Sequence, residues 1–149
     1  MKNLIGLILI AFVSMSATWS NGVVVVRTDG LYSSKVINNN DSSKTTEYHF
    51  IKFSADGKAK TYILPTNDAA KAASLAQSSA QPNFAGEYRI HENNVVYRSN
   101  NSIDKTTAPR INLFTLYNGT LEQNGTINFT LNFTNGSSNT ATFEFQPFK

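Results

Sequence analysis

Between two Asn-Gly pairs, residues 124 to 136 read NGTINFTLNFTNG, with Ile127, Phe129, Leu131 and Phe133 alternating with Thr126, Asn128, Thr130 and Asn132. Successive side chains of a strand point to opposite faces, so this segment is a ribbon with one apolar and one polar surface. The apolar side needs a cover, whether a protein core, a ligand or a partner. Asn-Gly favours a tight turn, so the ribbon is expected to fold back at both ends and pair with its chain neighbours.

The same punctuation runs along most of the chain. A β-branched run, Val23 to Val26, leads to Asp29-Gly30 and a strand from Gly30 to Val36. Residues 37–46 are polar, lack periodicity and read as a loop. Two strand-like runs flank the turn Ser54 to Gly57, a hairpin signal. Further strands are expected at AGEYRI, VVYRSN, INLFTLYNGTL, residues 126–133 and residues 140–148, with a polar loop at 101–110. One helix is expected from Asp68 to Ser79: Pro65 precedes it, Thr66, Asn67 or Asp68 can cap it, its body is alanine-rich and Pro82 stops it. Its small apolar side chains suggest a plug or lid rather than a core helix. Eight short strands joined by turns predict an antiparallel sandwich or barrel.

The N-terminus carries Lys2, an unbroken apolar run from Leu4 to Val13, then small residues. That is the pattern of a secretory signal peptide, here residues 1–20 with cleavage expected between about 16 and 20. Ten apolar residues are too few for a helical membrane span, so no stable span is expected after leader removal, and the chain is expected to be secreted or periplasmic. Residues 21–149 are enough for one domain. With no cysteine, neither a disulfide nor a thiol-anchored lipid is available. The formal net charge of +3 is spread without a like-charge block, which argues against a nucleic-acid partner.

Several short stretches occur together: DGLYSSK at 29–35, IKFSADGKA at 51–59, GEYRIHENNVVYRS at 86–99, LYNGTLEQNGTINF at 116–129 and TFEFQPF at 142–148. In this order they resemble a family of small exported bacterial proteins, largely uncharacterised, with lipocalin-like β-barrels and a helix after the third strand. The resemblance implies a compact barrel with a helix after strand three; with the strand count above, the expected fold is mainly all-β, an eight-stranded antiparallel up-and-down β-barrel, lipocalin-like, with one short helix after strand three and the 127–133 stripe facing its interior. It also implies that Asn118-Gly119 lies within a strand, as a bulge, rather than at a turn. True lipocalins carry Gly-x-Trp in the first strand, whereas this chain has Gly30-Leu31-Tyr32. The resemblance therefore implies shape and not a ligand.

No nucleophile elbow, phosphate loop or activated-serine motif is present, no cofactor motif appears, and a non-enzyme is expected. Asp29, Asp56 and Asp68 occupy turn or capping positions. If Glu47, His49, Ile51 and Phe53 share an inward face, His49 would sit beside Glu47 as a ligand-orienting group; no spacing typical of a metal site accompanies it. Alternation points a set of aromatic rings inward, and the cavity candidates are Tyr32, His49, Phe53, Tyr88, Tyr97 and Phe129. Two functions follow as expectations. One is a non-catalytic binding module for a small apolar or amphipathic ligand. The alternative is a structural or protein-interaction module acting through the loops at 37–46 and 101–110.

Overall fold

The computed structural model describes residues 25–40, 43–101, 115–133 and 136–149. The leader expected at residues 1–20 and nearly all of the 101–110 loop lie outside the described residues. Strands β1 (Gly30–Asn40), β2 (Ser43–Phe53), β3 (Lys58–Leu64), β4 (Phe84–His91), β5 (Asn94–Asn101), β6 (Thr115–Leu121), β7 (Ile127–Asn132) and β8 (Ser138–Pro147) pair in sequence order, every neighbour antiparallel. β8 returns to β1 and closes an eight-stranded up-and-down barrel, with helix α1 (Ala69–Gln77) between β3 and β4. This is the fold class expected above. Closure leaves the strands without the long unpaired edges of an open sheet.

Three hairpins share one device. Ser54 N donates to Lys58 O while Gly57 N donates to Ser54 O; Glu122 with Thr126 and Gly125, and Phe133 with Ser137 and Gly136, repeat the pattern. The glycines, Gly57, Gly125 and Gly136, all have positive φ, which explains the recurring Asp-Gly and Asn-Gly pairs.

Inside, the alternating stripe is wrapped as expected: Phe129 is 1% exposed and Leu131 0%. Val26, Tyr32, Ile51, Phe53, Tyr97 and Phe143 join them in the core. Asn118 and Gly119 lie within β6, in continuous register with both β5 and β7, so the strand placement holds and no bulge interrupts it. Glycine is required there by close approach. A Cβ on Gly119 would stand 2.4 Å from Phe129 Cδ1 and 2.8 Å from the Asn128 carbonyl oxygen.

Two expectations are corrected. Most of residues 37–46 is strand, because β1 runs on to Asn40 and β2 begins at Ser43. Backbone pairing, from Ile37–Thr46 to Asn40–Ser43, holds this projecting hairpin where no apolar alternation signals it. The helix is neither plug nor lid. Capped by the Asp68 carboxylate, which accepts from Lys71 N at 2.9 Å, it lays Ala72 and Ala76 on Leu31, Phe50, Tyr62 and Leu64, on the outer wall of β1–β3. Four outward apolar side chains need that cover, and alanines one turn apart let the helix lie close against them.

Candidate functional site

The barrel has two unlike ends. At the turn end, which carries the β2–β3, β4–β5 and β6–β7 hairpin turns, aromatic rings fill the interior edge to face: Tyr32 with Phe53 at 5.5 Å, Phe53 with Tyr88 at 4.8 Å and Tyr32 with Phe145 at 5.2 Å between centroids. Their hydroxyls are accounted for. Tyr88 Oη donates to Ser54 O at 2.8 Å, and Tyr32 Oη accepts from Arg27 N at 3.0 Å. The Arg27 guanidinium stands 3.9 Å over the Phe145 ring and donates to Asp29 at 2.6 Å, which holds the Asp29 carboxyl below its ordinary range.

The other end carries the β1–β2 hairpin and the β3–α1–β4, β5–β6 and β7–β8 connections, and on its side of the core the interior becomes polar. Register places Glu47, His49, Thr61, Ser99 and Tyr117 on the inward face, the face shared by Ile51, Tyr97 and Leu131. His49 is only 4% exposed, and Thr61 and Ser99 are fully buried. His49 Nε2 lies 3.3 Å from Glu47 Oε2, and His49 Nδ1 lies 3.5 Å from Tyr117 Oη. In the neutral imidazole one tautomer satisfies both contacts: Nε2–H donates to the carboxylate and Nδ1 accepts from the phenol. Deeper in, the Thr61 and Tyr97 hydroxyls are 3.0 Å apart, and Tyr97 stacks on Tyr117 at 5.0 Å.

Electrostatics sort these groups into fixed roles. The hydrogen bond from His49 holds the Glu47 carboxyl below its ordinary range, keeping it ionised at neutral pH, and its side chain is 35% exposed. Burial pushes the Tyr97 phenol up to about 12 and raises Tyr117 as well. Both phenols therefore remain neutral hydrogen-bonding groups rather than nucleophiles. Among the described residues, no cluster of three or more His, Cys, Asp or Glu side chains could hold a metal ion.

All six sequence-derived candidates point inward: Tyr32, Phe53, Tyr97 and Phe129 belong to one core cluster on which Tyr88 packs, and His49 stands beside it among the polar groups. Tyr32, Phe53 and Tyr88 pack together at the turn end, Tyr97 touches Phe53 at 6.2 Å, Phe129 packs on Tyr117 and Phe143, and His49 belongs to the polar group. Sequence reasoning missed Tyr117, Thr61 and Ser99. Alternation in Tyr117-Asn118-Gly119-Thr120-Leu121 carries the signal for Tyr117, once Asn118-Gly119 is taken as strand. No family model, curated protein or solved structure matches this chain.

Proposed function

We propose that this chain is an exported, non-catalytic binding module of lipocalin-like build, which takes a small amphipathic ligand at the polar end of the barrel. One observation carries this: Glu47, His49 and Tyr117 form a hydrogen-bonded series on the inner wall, beside the buried Thr61 and Ser99, against the aromatic core. Burying polar groups costs stability unless they are hydrogen-bonded, and apolar side chains would fill the same space at lower cost. A few convergent polar groups on an apolar wall are what a ligand site uses to orient its guest. The ring-packed turn end supports the same choice of end, because its aromatic side chains already occupy one another.

Native mass spectrometry of the protein purified from its own host, followed by NMR titration with the molecule it carries, tests the reading. Shifts concentrated at Glu47, His49, Thr61, Ser99 and Tyr117 are expected. The reading fails if nothing co-purifies and no small amphiphile perturbs these residues.

A further inference from the structure

Among the strand residues whose side chains are described, parity around the closed barrel leaves Glu47 the sole charged residue on the inward face. Lys35, Lys52, Lys58, Lys60, Glu87, Arg89, Arg98 and Glu144 fall on the outward parity. Glu47 pairs with the buried Val36, and its neighbour on the same face, two residues on, is His49. The carboxylate shares the inward face with Tyr117, Tyr97 and Leu131, and no Lys or Arg stands on the inward parity of the strand residues whose side chains are described. His49 meets it through Nε2 and is itself engaged by Tyr117 on the other nitrogen.

A carboxylate at the edge of a low-dielectric interior attracts a cation much more strongly than one in bulk water. Aromatic faces add to the attraction for an ammonium or guanidinium group. We propose that the ligand class is an organic cation: a molecule with an ammonium or guanidinium head at Glu47 and an apolar body directed toward Tyr117 and Leu131. This rests on the binding reading above and adds the sign of the ligand's charge.

A matched series separates the two ideas: n-hexylammonium, n-hexanol and hexanoate, titrated into the full chain by NMR, and into the Glu47→Gln and Glu47→Asp variants. The ammonium is expected to bind about tenfold tighter than the alcohol, with the carboxylate weakest. Glu47→Gln should bring ammonium and alcohol level, with an unchanged circular dichroism spectrum and urea midpoint showing that the variant is folded. Glu47→Asp should keep the preference. Alcohol or carboxylate binding as tightly as ammonium, with shifts at the same residues, overturns the cation and leaves the binding reading standing. Silence from all three probes removes both.

Discussion

Tyr117 and His49, 68 residues apart in the chain, meet inside the barrel with the phenol oxygen 3.5 Å from the imidazole Nδ1. The contact links β6 to β2 across the barrel interior rather than along the sheet, so it forms only when the barrel has closed. Tyr117 also shares the Thr61 hydroxyl. Tyr117→Phe keeps the ring stack on Tyr97 but strands a buried acceptor on His49, so a loss of about 1–2 kcal/mol is expected in urea unfolding. An unchanged midpoint would mean that the contact contributes nothing to stability.

The buried phenols make the barrel sensitive to base. The ordinary phenol value is 10.0, and burial raises both Tyr97 and Tyr117 above it. The folded state holds these protons more tightly than the unfolded chain does. Their contribution to stability is therefore complete below about pH 10 and is lost as pH climbs through the raised folded values. Absorbance at 295 nm should thus fall short of six ionised tyrosines in the native protein and jump when the barrel unfolds. A smooth titration of all six below pH 11, with the fold intact by circular dichroism, would contradict the burial.

Closure itself has a weak seam. The β1–β8 ladder runs from Gly30–Pro147 to Ser33–Glu144, and beyond it the Asn139 side chain donates to the Ile37 carbonyl at 2.5 Å, standing in for backbone pairing. Asn139→Ala should cost about 1 kcal/mol. Its effect should be local, with amide hydrogen exchange faster in residues 34–37 and 138–143 and unchanged in the β4–β5 hairpin. Uniform acceleration over all strands would show that the side chain supports the whole barrel and not its seam.

Much of this architecture was legible wherever one face of a strand is apolar and the turn is glycine-marked. Phe129 and Leu131 announce their own burial, and Gly57 and Gly125 their own positive φ. Legibility failed where two signals share one spelling. Asn118-Gly119 looks like a turn, yet its glycine is needed because the Phe129 ring lies where a Cβ would be. That reading also hid Tyr117, and with it the partner that gives His49 its setting. Strand β1 beyond Val36 has polar residues on both parities, so alternation could not mark it; backbone pairing with β2 alone sustains it. The helix is legible, with Asp68 one of three residues able to cap it, but which side of the wall it covers depends on Leu31, Phe50, Tyr62 and Leu64 facing outward together, a relation visible only after three strands are in register.

That outer cluster contains the one buried side-chain polar atom among the described residues without a hydrogen-bond partner, the Tyr62 hydroxyl beneath α1. Burial there raises its phenol above the ordinary value, and no hydrogen bond opposes the shift. An unpaired buried hydroxyl costs about 1–3 kcal/mol, so removing it helps where removing a paired one harms. Tyr62→Phe is therefore expected to stabilise the protein by about 1 kcal/mol, whereas Tyr97→Phe, which breaks the 3.0 Å contact with Thr61, should destabilise it by a similar amount. Paired thermal and urea unfolding of the two variants measures both signs. The same atom is removed from either side of one barrel wall, so hydroxyl loss alone cannot produce opposite results. If both variants lose stability, the Tyr62 hydroxyl has a partner in solution, and the packing of α1 on the wall must leave room for it.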